Sequence, residues 1–418
     1  MLIKTRALLD RILTENIVPF WYPQTIDRDA GGYRLNHDIA SNWRGAAAKS
    51  LVGQARTLWF FARLVNSQYR CAEYEEAATQ GFEYLERYFW DARAGGFLWL
   101  IDTQGRPLES NKQLYGQAFA LYALAEYTVA TRDERANERL QSLFELIERH
   151  GRDRVHGGYR EFLLDDWALP ARDAVSYMGT PATAKTLNTN LHLCEAITRA
   201  ADVRADAAVQ DALGGLMSIL CGAAVRPEYG VCDDQHADDW SPPPRADRRP
   251  ITYGLNLESI WLAIEASARL NVPSAQLLDL HETIFFNCWR YGFDHARGGF
   301  YYQGPPGRFA TERTKLWWVE AEALVCALQL YLVTRRRVYF DAFVRTLDWI
   351  NRHQVDWERG EWYLRVDDAG VPSGNKAHER STAWKCPYHN ARAMLRCIEL
   401  IDALLATPEG RVTPALAH

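Results

Sequence analysis

One pattern recurs six times along this chain of 418 residues: an acidic residue, three further residues, a glycine, and then an extended segment with an aromatic residue. The copies begin at intervals of 62 to 73 residues, at Asp27, Asp91, Asp153, Arg226, Asp294 and Asp356. The copy at Arg226 has lost both the acidic and the aromatic residue. Since glycine tolerates the positive φ of a tight turn, the pattern marks turns. A period of this length indicates that one supersecondary unit has been repeated.

The segments between these turns have helical periodicity. Apolar residues recur at helical spacing in residues 45–66, 113–130, 183–201, 254–270 and 315–334. Each repeat therefore holds about two helices and one short extended turn. Six such hairpins can close head to tail, which removes the need for capping repeats. We predict an all-α fold, an (α/α)6 toroid with short β-turn segments, and keep an open superhelix as the alternative.

Nothing in the composition divides the chain into separate domains. We predict one domain over residues 1–406 and a disordered tail over residues 407–418, which have little apolar content. Residues 226–252 form the longest irregular stretch, contain three consecutive prolines, and begin where the longest interval between turns, 73 residues, ends. Such an insertion is typical of a loop over a functional site.

The charge and the cysteine content limit the possible binding partners and the cellular compartment of the protein. A formal net charge of −5 gives no electrostatic footprint for nucleic acid, and no apolar run is long enough for a membrane span. The N-terminus resembles an amphipathic helix and lacks the features of a signal peptide. The eight cysteines contain no CxxC pair, which is typical of buried free thiols in a reducing compartment. We expect a cytoplasmic monomer or homodimer that binds a small molecule.

Polar residues stand out on otherwise apolar helices. Asn188, His192 and Glu195 share one face at helical spacing, which favours a pocket wall over a single buried histidine. Among 15 tryptophans and 20 tyrosines, most of which belong to the core, Trp318 and Trp384 lie beside ionisable residues. Aromatic faces of this kind can stack on sugar rings.

A histidine and a carboxylate complete the candidate site. His389 precedes the last predicted helix, residues 391–405, where the positive end of the helix dipole lowers the pKa of an imidazole and favours a neutral base. Glu258 has apolar neighbours in the sequence and is costly to bury without a partner. Arg56, on another largely apolar helix, is the partner we expect for it.

These motifs make the chain similar to one known family. From Gly31 to about Leu405 it resembles the N-acylglucosamine 2-epimerase family, which includes cellobiose 2-epimerases and aldose–ketose isomerases acting on mannose. The motifs that carry the resemblance are Gln54-Ala55-Arg56, Tyr115-Gly116-Gln117-Ala118, Asn188 to His192, Lys315 to Trp318, and Trp384 to Asn390.

The resemblance implies a barrel of six helical hairpins, a sugar in a central cleft, and neither a cofactor nor a catalytic metal. It implies that Arg56 holds substrate hydroxyls, and that Asn188 and His192 contact the sugar and assist ring opening. Trp318 and Trp384 would stack on it, and His389 would be one of two histidines flanking C2. We further expect the site to be lined by Tyr115, Gln117 and Glu320.

The second histidine of the family pattern is absent. Where the pattern has Gly-His-Asp, an apolar residue and Glu, this chain has Gly254-Leu255-Asn256-Leu257-Glu258. Leucine cannot exchange a proton, so two-base inversion in the family's form would lack one of its groups.

Four functions therefore stay open. An aldose–ketose isomerase needs one base, His389, and is our leading hypothesis. A 2-epimerase would need a substitute acid, such as Glu258, Glu320 or a water. An inverting glycoside hydrolase would use two carboxylates from among Glu258, Glu320 and Glu322. A sugar-binding or protein-binding relative would use the pocket for recognition alone. These residues do not distinguish a monosaccharide from a disaccharide substrate.

Overall fold

The fold is a closed ring of helical hairpins. The computed structural model describes residues 1–243, 249–374 and 379–406, so the predicted loop tip around Pro244 and the predicted tail, residues 407–418, lie outside the described residues. The inner helices, all running in one direction, are α3 (Leu51–Val65), α5 (Leu114–Thr131), α7 (Leu187–Ala200), α9 (Tyr253–Arg269), α11 (Trp317–Thr334) and α13 (Tyr388–Ala406). The outer helices are α1 (Leu2–Arg11), α4 (Ala72–Tyr84), α6 (Glu134–Leu146), α8 (Ala207–Ser218), α10 (Leu278–Tyr291) and α12 (Arg337–Trp349), and a short helix α2 (Val18–Trp21) follows α1.

The two ends of the chain close the ring. Each inner helix packs against the next, and α13 packs against α3. The first outer helix, α1, packs on α13, the last inner helix. A backbone bridge between His37 and Ser381 joins the segments that precede α3 and α13. The prediction of an (α/α)6 toroid is therefore confirmed, and the open superhelix is wrong because its terminal repeats would not meet.

Short antiparallel ladders follow the rim at which the inner helices begin. Each links the strand before one inner helix to a strand of the next repeat. The pairs are β1 (Lys49–Ser50) with β2 (Leu100–Ile101), β4 (Lys112–Gln113) with β5 (Phe162–Leu163), β6 (Ala184–Thr186) with β9 (Gln235–Ala237), β10 (Ile251–Thr252) with β11 (Gln303–Gly304), and β12 (Lys315–Leu316) with β13 (Arg365–Val366). Two further hairpin ladders pair β3 (Pro107–Glu109) with β2, and β7 (Val225–Arg226) with β8 (Val231–Cys232). The ladders explain why the inner helices α3 and α7 begin later than the periodicity predicts: residues such as 184–186 are strand.

The repeated turn is fastened to the inner helix that follows it. In the third repeat, Lys185 donates to the Asp153 carboxylate at 2.7 Å and to the Gly157 carbonyl at 2.9 Å. The side-chain amide of Asn190, on α7, accepts from the Tyr159 N–H at 2.7 Å and donates to its carbonyl. Gly157 has φ +75°, which accounts for the glycine. Equivalent lysines are Lys49, Lys112 and Lys315, and equivalent helix residues are Gln54, Gln117, Asn256 and Glu320.

Two repeats fasten the turn differently. In the fourth, Arg226 replaces the aspartate and pairs instead with Asp233 at 3.3 Å. In the sixth, Glu361 occupies the position of the second glycine with φ +63° and receives Lys385 at 2.8 Å. Other charge pairs thus hold the turn in these two repeats, and the fourth copy of the sequence pattern therefore lacks its acidic residue.

Candidate active site

The inner helices bring the polar residues together at one end of the ring. Arg56, His192 and Glu258 each lie in the second turn of their helix, while Tyr115 and His389 lie in the first. Since six parallel helices surround the axis, side chains at these levels converge on one cleft. Helix α13 begins at Tyr388, three residues earlier than predicted, so His389 belongs to the helix itself.

His389 is held as a neutral imidazole. Its Nδ1 lies 2.6 Å from Oε1 of Glu322, which also accepts from Arg392 at 2.8 Å, while Oε2 accepts from Trp261 at 3.0 Å. Because Glu322 is the acceptor of these bonds, Nδ1 of His389 carries the proton and Nε2 keeps its lone pair. Burial lowers the pKa of His389 well below its ordinary value, and the cations Arg56 and Arg392 lower it further. The direction is the one expected from the helix dipole, but burial is its main cause.

The ionic partner of Glu258 is Arg392. Its carboxylate accepts from the Arg392 guanidinium at 2.7 Å, so the predicted pairing with Arg56 is wrong. Burial, and then the neighbouring charge of Glu322, raise the pKa of Glu258 to about 7. A carboxyl group with that pKa can both donate and accept a proton near neutral pH.

Arg392 is the site residue that the sequence reasoning missed. It binds Glu195, Glu258 and Glu322 together and is itself 4 % exposed. Its spacing of three residues after His389 on one helix face was the available signal. A single guanidinium thus fixes the three carboxylates beneath the cleft.

His192 is oriented by its own helix. Its Nδ1 lies 2.9 Å from Glu195 Oε2, which also accepts from the Tyr388 hydroxyl. Burial alone would raise the pKa of Glu195, but Arg392 and His192 outweigh it and lower the pKa to about 2. The ionised carboxylate therefore holds the imidazole in one orientation.

Arg56 faces the cleft among aromatic rings. It donates to the Tyr115 hydroxyl at 2.8 Å, and its guanidinium lies 4.0 Å from the centre of the Phe119 ring and 4.6 Å from that of Tyr388. Its Nε has no partner among the described residues. A cation held this way can bind substrate oxygens without an ionic partner.

Trp318 and Trp384 lie at different depths. The Trp318 ring is 5.9 Å from His389, whereas Trp384 is 43 % exposed and lies 6.2 Å from Tyr115. Trp384 therefore belongs to the rim. Asn188 is half-buried at the start of α7, and its backbone N–H donates to Asp234 at 3.0 Å.

Gln117 and Glu320 serve the repeated turns. Gln117 is fully buried, and its amide accepts from the Phe97 N–H at 2.9 Å and donates to the Phe97 carbonyl at 2.7 Å. Glu320, also fully buried, accepts from the Phe300 N–H at 2.9 Å. Their polar groups face the turn backbone, which gives both residues a structural role, and a contact with the substrate stays a prediction.

Glu258, Glu322 and His389 also resemble a metal-ligand set. One ligand atom of each lies within 4.8 Å of the others. Arg392, however, already donates to both carboxylates, and its positive charge would face any divalent ion placed between them. The guanidinium therefore takes the place of a cation in this cluster.

The sequence profile described as N-acylglucosamine 2-epimerase (GlcNAc 2-epimerase) matches residues 32–393. The chain belongs to this family. It is 29% identical over 400 residues to the cellobiose 2-epimerase of Bacteroides fragilis, covering 94% of this chain and 97% of that protein. It is 25% identical over 398 residues to the D-mannose isomerase of Marinomonas mediterranea, covering 93% and 95%. The structure of cellobiose 2-epimerase from Spirochaeta thermophila superposes with a TM-score of 0.87 at 32% identity, covering 97% and 98%.

Membership in this family makes the protein a sugar epimerase or isomerase. The glycoside hydrolase and the non-catalytic binding protein are not supported. Glu258 and Glu322 also share the Arg392 cation, and Glu320 faces a turn. Among the described residues, no helix is long and apolar enough to cross a membrane.

Proposed function

We propose that the protein interconverts an aldose of the mannose or glucose type with its ketose, using His389 as the base. The observation that carries the proposal is the orientation of His389. Glu322 holds Nδ1 at 2.6 Å, so the lone pair of the imidazole is on Nε2, the nitrogen that faces away from this carboxylate. The low pKa of the imidazole keeps that nitrogen unprotonated at neutral pH.

The reaction needs a base on one face of the substrate. His389 Nε2 takes the proton from C2, the electrons form the C1–C2 double bond of an enediol, and the same imidazole returns the proton to C1. Meanwhile the hydroxyl proton at O2 must leave and O1 must gain one. Glu258, with its pKa near 7, has the proton affinity for that exchange. Arg56 stabilises the charge that develops on the oxygens.

The cleft also supports the earlier step, ring opening. His192 is fixed by Glu195 and lies against the rings of Phe119 and Tyr115, at 4.7 and 5.3 Å. A histidine in this position can move the proton of the anomeric hydroxyl. The names of the relatives, cellobiose 2-epimerase and D-mannose isomerase, support reducing sugars as the substrate class.

The test is isotope incorporation. We expect mannose, glucose, fructose and cellobiose, incubated separately with the enzyme in heavy water, to show deuterium at C1 or C2 by NMR for at least one sugar, with ketose as product. His389→Asn should lower this exchange at least 1000-fold while leaving the circular dichroism spectrum unchanged. His281→Asn is the matched control, because His281 is also buried but lies on the outer helix α10. Exchange that survives His389→Asn would overturn the assignment of the base.

A further inference from the structure

Leu255 occupies the position where the resemblance predicts a histidine, and it borders a cavity. It lies in the first turn of α9, three residues before Glu258 and on the same helix face. The cavity measures about 200 Å³ and is also lined by Asp233, Asp234, Arg249 and Gln303. Space and titratable groups are therefore present on this side of the cleft although the histidine is not.

Asp234 is the carboxylate in this cavity that is fixed in place yet incompletely bonded. Its Oδ1 accepts from the Asn188 N–H at 3.0 Å, and its backbone carbonyl accepts from the Leu187 N–H at 2.7 Å. Its second oxygen has no partner among residues 1–243, 249–374 and 379–406. Asp233, in contrast, is paired with Arg226 at 3.3 Å.

Asp234 is bonded to the helix that lies across the ring from the helix of His389. Both backbone bonds attach Asp234 to the first two residues of α7, and His389 is the second residue of α13. Around the ring, α9 and α11 separate α7 from α13 on one side, and α5 and α3 on the other. The N-terminus of α7, to which Asp234 is bonded, therefore lies across the ring from the N-terminus of α13, which carries His389. Glu258 lies a turn deeper and is bound to Arg392.

We propose that Asp234 is a further catalytic residue: an acid that donates the second proton in 2-epimerisation of the aldose that His389 deprotonates, at the place where Leu255 replaces a histidine. The proposal rests on the proposed function, because it needs the enediol formed at His389. The Asp234 O–H bond breaks and its proton bonds to C2 on the face opposite His389, while O1 gives its proton to Glu258 and the C1 carbonyl reforms. The turnover leaves His389 protonated and Asp234 as a carboxylate, and exchange with water resets both. No oxidant or reductant takes part.

The half-buried position of Asp234 supports this role. Burial raises the pKa of its carboxyl above that of an exposed aspartate, while the hydrogen bond from the Asn188 N–H and the charges of His236 and Arg249 act in the opposite direction. The other function that its contacts allow is capping of α7. Thr186 already caps that helix, since its hydroxyl accepts from the Thr189 N–H at 3.1 Å. The two roles differ in what removal of the acid does to the products.

The experiment measures initial rates of ketose and 2-epimer formation by the full-length enzyme in heavy water. For Asp234→Asn, whose amide oxygen still accepts from Asn188, we expect the epimer-to-ketose ratio to fall at least 100-fold. Asp233→Asn, the neighbouring carboxylate, should leave the ratio unchanged. Adding Leu255→His to Asp234→Asn should restore the epimer, because an imidazole then enters the same cavity. If Asp234→Asn does not fold, Asp234→Ser replaces it.

The outcomes distinguish a failure of the role proposed for Asp234 from a failure of the proposed function. A ratio that does not change in Asp234→Asn, or a wild type that makes ketose without epimer, would overturn the role of Asp234 and leave the proposed function standing. Equal losses of both products would assign Asp234 to capping alone and would also overturn it. A wild type that forms neither product and exchanges no deuterium would overturn the proposed function itself.

Discussion

Replacing Glu320 by glutamine tests whether this residue belongs to the turns or to the substrate site. In four repeats the equivalent residue is an amide, Gln54, Gln117, Asn190 or Asn256, which accepts from a backbone N–H and donates to the carbonyl of the same residue. Glu320 accepts from the Phe300 N–H, but its Oε2 has no partner among the described residues as an ionised group. A protonated Glu320 could donate from Oε2 as the amides do.

The expected change in the free energy of unfolding follows from the shifted pKa of Glu320. Burial raises the pKa of Glu320 from 4.5 to about 8, against the opposing charge of Lys315. Because the folded-state pKa is higher than the unfolded one, the stability from the protonated form is complete below pH 4.5 and is lost as the pH rises to 8. The loss at pH 7 is about 3 kcal/mol, and above pH 8 it approaches about 5 kcal/mol, at 1.36 kcal/mol per pH unit. Glu320→Gln should abolish this loss.

The assay compares urea unfolding of the wild type and Glu320→Gln at pH 5, 7 and 9. We expect the stability advantage of the variant to grow with pH, by about 4 kcal/mol from pH 5 to pH 9. The difference between the two proteins isolates Glu320, because other titrating groups are common to both. The KM for the sugar should stay within about twofold. If the free energies of unfolding of the two proteins changed with pH in the same way, Glu320 would not be protonated in the folded protein. A large rise in KM would show that Glu320 contacts the substrate.

Three further changes test the buried charges and the rim. Asp153→Asn should lower the free energy of unfolding by about 1–2 kcal/mol at pH 7, measured in urea. Burial alone would raise the pKa of Asp153, but Lys185 and the amides of the turn outweigh it and lower the pKa to about 2. The difference between the two proteins should therefore vanish as the pH falls through 2. Lys385→Met should cost about 3–5 kcal/mol, because it leaves the fully buried Glu361 without its cation, and a loss below 1 kcal/mol would contradict this. Trp384→Ala should raise KM severalfold with little change in kcat or Tm, because this ring is 43 % exposed at the rim; a fall in kcat alone would place it at the reacting carbons instead.

The sequence predicts the fold well because its signals are local. The glycine turns require positive φ, and the apolar periodicity of each repeat allows few alternatives to a helical hairpin. Helix starts are less well predicted at α3 and α7, where residues that fit a helical period pair with a strand of another repeat. The sequence shows that the copy at Arg226 lacks the acidic residue of the turn. It does not show that Arg226 pairs with Asp233 instead.

The sequence by itself determined the repeat, the hairpins and most residue types of the cleft, including His389, His192, Glu258 and Arg56. Tertiary structure decided which of these touch. Arg392 rather than Arg56 neutralises Glu258, because α9 and α13 both face the axis beside α11. Gln117 and Glu320 turned out to serve turns, because an inner helix presents some polar residues to the rim backbone and others to the cleft. Such choices depend on rotation about each helix and on partners far apart in the chain, and no local pattern encodes them.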